Sequence, residues 1–124
     1  MEETWRFSDG SGPVTAGSAP ALLRERVFAG RLETWLTSSA GRSLAVVSNT
    51  ERALVMLLDG ADAPGEHAVD PGAGGSSDGC VLANGQCDTY PDADTVPLAE
   101  ALRIVGHLLA TGTPPPDAAW SIDR

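Results

Sequence analysis

Six consecutive apolar residues, Ala53 to Leu58, stand between Arg52 and Asp59. A strand that offers no polar face must be covered on both sides, so residues 53–58 are expected to form a central strand. Upstream, residues 32–38 (LETWLTS) set Leu32, Thr34 and Leu36 against Glu33, Trp35 and Thr37, the period of a strand with two different faces. Residues 43–48 (SLAVVS) form a third run. The turns around Gly41 and Asn49 are short, which makes antiparallel hairpins the economical connection.

Residues 80–90 (CVLANGQCDTY) carry Asn84-Gly85 between two strand-like runs. These two residues best tolerate positive φ at both central positions of a two-residue hairpin turn. In that register Leu82 lies opposite Cys87 and Cys80 opposite Thr89, so both cysteines share a face at a diagonal. Diagonal neighbours are roughly 7–8 Å apart, beyond usual disulfide reach. Two reduced thiols packed with Leu82 are therefore expected.

Two helices are expected. Over residues 96–111, Pro97 takes the first helical position and Gly112 ends the helix. Spacing at 100° puts Leu98, Ala101, Leu102, Val105, Leu108 and Leu109 on one stripe, with Glu100, Arg103 and His107 opposite. A weaker helix starts from a cap at Ser18 or Ala19, runs from Pro20 to about Phe28 and stops at Gly30. The three prolines at 114–116 force an extended path towards Trp120, which anchors a closing strand. Strands grouped together with helices at either end give the α+β class: a single antiparallel β-sheet with two helices packed against it.

The chain is 42% hydrophobic, but 18 of its 124 residues are alanine, enough for one small core and a single domain spanning 1–124. Residues 59–79 (DGADAPGEHAVDPGAGGSSDG) read as a flexible Gly/Asp-rich loop in which only residues 66–69 could pair.

Eight basic residues, all arginine, stand against 17 acidic ones, a net charge of -9. Nucleic acid and anionic membrane are poor partners for that balance, because both need a basic face. No apolar run reaches the ~18 residues of a membrane span. The acidic start MEETWRFSDG does not resemble a secretory signal, so a cytoplasmic location is expected. Charges cancel over residues 1–52 and again over the last 22 residues. Between Arg52 and Arg103 there is no basic side chain, yet there are nine acids: Asp59, Asp62, Glu66, Asp70, Asp78, Asp88, Asp92, Asp94 and Glu100. The whole net charge sits in the middle of the chain.

Enzymatic constellations are thin. No Gly-rich phosphate loop, nucleophile elbow or His-Glu metal motif occurs. Glu100, Arg103 and His107 are spaced to meet on one helical face, which reads as a solvated, charge-paired surface. His67 could reach a cysteine, but no third group is in evidence to orient it. The carboxylates at Asp88, Asp92 and Asp94 lack the frame of a calcium loop. No catalytic residue, cofactor or metal site is assigned. Tryptophans 5, 35 and 120 are expected in the core.

The order Asn84-Gly85, Tyr90-Pro91, Val96-Pro97 followed by Ala101, then Thr111-Gly112, Pro114 and Trp120 resembles immunity protein family 1 of bacterial polymorphic-toxin and contact-dependent inhibition systems. The match is specific over residues 80–122 and architectural before that. The resemblance implies a small α+β protein that binds and neutralises a cognate toxin, commonly a nuclease. The matching positions read as a turn, a helix start, a helix stop and a core tryptophan, and the Gly-rich stretch at 59–79 departs from the pattern.

The leading functional expectation is thus a non-enzymatic inhibitor whose acidic segment covers the basic cleft of a nuclease-like toxin, with Asp59, Asp62, Glu66, Asp88, Asp92 and Asp94 as partner-binding residues. The alternative is a small enzyme or ligand-binding accessory protein of a biosynthetic or regulatory pathway, with Asp88, His67, His107 or the cysteines in a pocket. A third reading is a self-associating module that uses Trp35 and an edge strand.

Overall fold

In the computed structural model, the described residues (3–10, 12–59, 65–81 and 87–122) form ten strands and two helices. In chain order these are β1 (Trp5–Phe7), β2 (Pro13–Val14), α1 (Ala19–Phe28), β3 (Glu33–Ser38), β4 (Ser43–Ser48), β5 (Arg52–Leu58), β6 (Glu66–Ala68), β7 (Ser76–Val81), β8 (Cys87–Pro91), β9 (Val96–Pro97), α2 (Leu98–Thr111) and β10 (Trp120–Ile122). Eight strands build one antiparallel sheet in the order β10-β6-β5-β4-β3-β1-β2, with β9 beside the first residues of β5. Among the described residues, β7 and β8 form a separate two-stranded sheet. The fold is α+β, with both helices on a single main sheet.

Alternation decides which side chains meet the helices. The rungs Leu36↔Leu44, Leu44↔Leu57 and Val46↔Val55 stack apolar residues on one face. There they join Leu23 and Val27 of α1 and Ala101, Ile104, Val105 and Leu108 of α2 in one buried cluster. The other face of β4 carries Ala45 and Val47, also buried, and β7 lies against β4 there. β4 is therefore the strand covered on both sides. β5, for which that role was expected, buries Ala53, Val55 and Leu57 but leaves Leu54, Met56 and Leu58 half-buried.

The helix ends follow local chemistry. At the end of α1, the Gly30 N–H donates to the Val27 carbonyl (3.1 Å) and the Arg31 N–H to the Arg26 carbonyl (2.8 Å). This pair of bonds needs a left-handed residue, supplied by Gly30 at φ +92°. α2 stops at Gly112, φ +83°, whose N–H donates to the Leu108 carbonyl at 2.7 Å. Where the two helices touch, Gly106 faces Pro20: a Cβ there would stand 3.4 Å from its Cγ, at van der Waals contact.

Several expectations need correction. Val96 and Pro97 pair with Ala53 and Arg52 as β9, so Pro97 stands at the N-cap and α2 begins at Leu98. Proline suits that junction because it forgoes an N–H and disfavours a helical residue before it. Within 59–79, residues 66–68 pair as expected, but residues 76–79 also belong to a strand, β7. The β7–β8 ladder pairs Cys80 with Asp88 and Val81 with Cys87, one residue off the expected register. The cysteines thus occupy adjacent rungs, not rungs two apart on one face. Asn84-Gly85 and Leu82 lie outside the described residues. Trp5 is buried, whereas Trp35 and Trp120 are half-buried. Trp35 sits on β3, an interior strand paired on both sides, so it offers no sheet edge.

Candidate functional site: a carboxylate end of the sheet

The turn from β4 to β5 places Arg52. Buried Ser48 donates its hydroxyl to the Arg52 carbonyl (2.9 Å) and accepts from the Thr50 N–H (3.0 Å). The side-chain oxygen of Asn49 accepts from the N–H groups of Glu51 (3.0 Å) and Arg52 (2.8 Å). These bonds hold Thr50 at φ +79°, a conformation β-branched residues avoid.

From that position the Arg52 guanidinium, 20% exposed, gathers the chain that precedes α2. Nε donates to Thr95 Oγ1 at 2.8 Å. Nη2 donates to Asp70 Oδ2 at 2.8 Å, to the Thr95 carbonyl at 3.0 Å and to the Asp92 carbonyl at 3.1 Å. The Asp92 carboxylate stands 3.8 Å from Nε. Thr95 is buried, and its hydroxyl donates onward to the Asp92 carbonyl at 3.1 Å. A single 3-10 turn, Asp92–Asp94, is thereby fixed from one side. From the other side His67 Nε2 lies 3.1 Å from Asp94 Oδ1.

Beside this cluster runs a groove of about 410 Å³ between the chain leaving β6, β9, the first turns of α2 and the segment entering β10. Val69, Val96, Ile104 and Ala118 line it, and Asp70, Glu100, Arg103 and Asp117 are its charged residues. Arg103 donates Nε to Glu100 Oε1 at 2.9 Å and Nη1 to Asp117 Oδ1 at 3.2 Å. The hydrogen bond that Arg103 donates to Glu100 is the largest influence holding its guanidinium above the ordinary pKa. The Val69 N–H donates to the Ala119 carbonyl at 3.0 Å and keeps the outer wall in place.

Among the described residues, the expected partner-binding acids are not gathered in one place. Asp92 and Asp94 share the turn described above. Asp59 closes the far end of β5, seven residues from Arg52 and so roughly 20 Å away along the strand. Its side chain is 54% exposed and lies 3.5 Å from Arg42 Nη1. Glu66 pairs with Leu57 near that same end and accepts from Trp120 Nε1 at 2.8 Å. Asp88 stands on β8 across from Cys80. Asp62 lies outside the described residues. His67 joins Asp94, and His107 stays half-buried on α2 while Arg103 takes Glu100 and Asp117 as partners.

Arg52, Asp70 and Asp117 were not singled out from sequence. A usable signal existed for Arg52: it is the last arginine before fifty residues without one, so the carboxylates folding back onto it have no competing guanidinium inside that stretch. Among the described residues, no cluster of three or more His, Cys, Asp or Glu side chains could hold a metal ion, and no helix is long and apolar enough to cross a membrane. The chain matches no protein-family model, and no curated protein matches it.

Proposed function

We propose that the chain is a cytoplasmic immunity protein that binds and neutralises a cognate bacterial toxin, with a nuclease-like toxin as the best fit, by presenting carboxylates to its basic cleft. The observation that carries this reading is the gathering of Asp70, Asp92, Asp94, Glu100 and Asp117 at the end of the sheet where α2 begins, against Arg52, Arg103 and His67. A cleft that holds phosphates must be basic, and an opposed carboxylate surface speeds association and selects the partner. The resemblance over residues 80–122 adds support, since its positions occupy fold-determining places: Val96-Pro97 at the entry to α2, Gly112 at its stop and Trp120 packed against the core.

The acids differ in what they can report. Asp94 and Asp117, 48% and 73% exposed, are the most solvent-facing acids of that gathering, with His67 and Arg103 as their partners. Glu66 and Asp92 also hold Trp120 and Arg52, so their removal mixes binding with folding. The deciding experiment tests the product of the neighbouring open reading frame for growth inhibition, for binding to this chain and for relief of its activity by it. Asp94→Asn with Asp117→Asn should slow association and flatten its salt dependence. A neighbouring product that is harmless, or a toxin that this chain does not bind, removes the proposal.

A further inference from the structure

We infer that the groove beside α2 receives an arginine side chain from the partner protein; the identity of that partner rests on the reading above, whereas the chemistry of the groove does not. Apolar walls at Val69, Val96, Ile104 and Ala118 suit the methylene stem of a long cation, and the carboxylates of Asp70, Glu100 and Asp117 suit its head. At 410 Å³ the groove falls within the range of about 300–1,000 Å³ seen for ligand clefts. Its charged lining is three carboxylates to one cation, Arg103. With Arg52 and its second carboxylate Asp92 included, the local balance is four acids to two arginines.

Arginine is favoured over lysine because the groove already shows how it holds a guanidinium. Arg103 reaches Glu100 through Nε and Asp117 through Nη1, the forked use of one planar group by two carboxylates. A carboxylate accepts about four hydrogen bonds, and Asp117 is 73% exposed and Asp70 36%, so both keep accessible acceptor capacity. Arg103, 44% exposed, is then an internal competitor for the incoming group. An unusual consequence follows: removing a cation from this protein strengthens its hold on a cation far more than on a neutral isostere.

The test is a titration of the ¹⁵N-labelled full chain with the blocked peptide acetyl-Ala-Ala-Arg-Ala-Ala-amide and with its citrulline counterpart, which keeps shape but not charge. Saturable shifts at the amides of Val69, Asp70, Glu100 and residues 117–119 are expected with the arginine peptide alone. Arg103→Ala should tighten binding by about two- to fivefold, and Glu100→Gln with Asp117→Asn should weaken it by about tenfold or more. Equal shifts with both peptides, shifts centred elsewhere, or no gain from Arg103→Ala overturn the inference. Ala119→Trp, which fills the groove from an exposed position, should weaken toxin binding by about tenfold or more. A toxin that binds this variant unchanged also overturns it, while leaving the immunity reading intact. If no toxin is found, that reading fails and the peptide titration still decides the groove.

Discussion

Two arginines stand at opposite ends of the β4–β5 hairpin, and each holds two carboxylates to different effect. Arg42 donates Nε to Glu3 Oε2 at 2.8 Å, donates Nη2 to Glu3 Oε1 and lies near Asp59. Its guanidinium carbon stands 5.5 Å from the centroid of the Trp5 ring. A Cβ at Gly112 would lie 3.5 Å from its Nη2, so this cation also faces the C-terminal end of α2, where positive charge is favoured. Every one of those contacts ties separate pieces together through side chains or charge. Arg52 instead donates to two backbone carbonyls and a buried hydroxyl, and thereby sets the path of residues 92–95 into β9 and α2. One arginine fastens the fold, whereas the other shapes the surface proposed to meet a partner.

That contrast can be broken most directly at Arg52. Arg52→Ala leaves two carbonyls, Thr95 and two carboxylates without their shared donor, and should cost about 2–4 kcal/mol in urea unfolding. It should also speed amide exchange at the start of α2. A loss below about 1 kcal/mol would reduce Arg52 to an ordinary surface pair. Arg42→Ala comes next, at about 1–2 kcal/mol, since its pairs are partly solvated but it also covers Trp5; here the entry to α2 should keep its exchange protection. The smallest effect is expected for Glu3→Gln, up to about 1 kcal/mol at neutral pH.

Glu3 also separates the two clusters by pH. Its hydrogen bond to Arg42 holds the carboxyl below its ordinary pKa, against the opposing pull of desolvation. A lowered native pKa contributes stability that is fully present above the unfolded value and is lost as pH falls through the native one. The stability gap between the native chain and Glu3→Gln should therefore be constant at neutral pH and close on acidification below the usual carboxylate range. A gap that stays open in acid would mean that packing, not charge, supplies the Glu3 contribution.

The elements that could be read along the chain are those whose pattern repeats within themselves. α2 carries four turns of stripe, and five of the six expected stripe residues are buried, with Leu109 packed against the cluster and Ile104 added to it. β3, β4 and β5 showed their alternation or apolar run. β1, β2 and β9 did not, because two or three residues are too few to display a period; they are strands because β3 offers an edge to β1, β1 to β2 and β5 to β9. The start of β7 was hidden by Ser, Asp and Gly, residues with weak strand preference; Ser76 and Ser77 pair because β8 supplies the ladder, and the register shifts between Ser77 and Cys80.

The candidate site was legible as charge but not as place. Sequence alone determined that the middle of the chain is acidic and free of cations, that α2 begins near Val96-Pro97 and ends at Gly112, and that the fold is α+β, because charge count, turn chemistry and periodicity are local properties. Only the tertiary structure decided which carboxylates stand together. It set Asp59 at the far end of β5 from Arg52, Asp92 and Asp94, held Glu66 on Trp120, and brought Asp70, Glu100 and Asp117 to one groove. The physical reason is that a carboxylate settles where the fold brings a cation or donor within reach, and for the acids named here those donors are Arg52, Arg103, Arg42, His67 and Trp120, placed by strand pairing and helix packing.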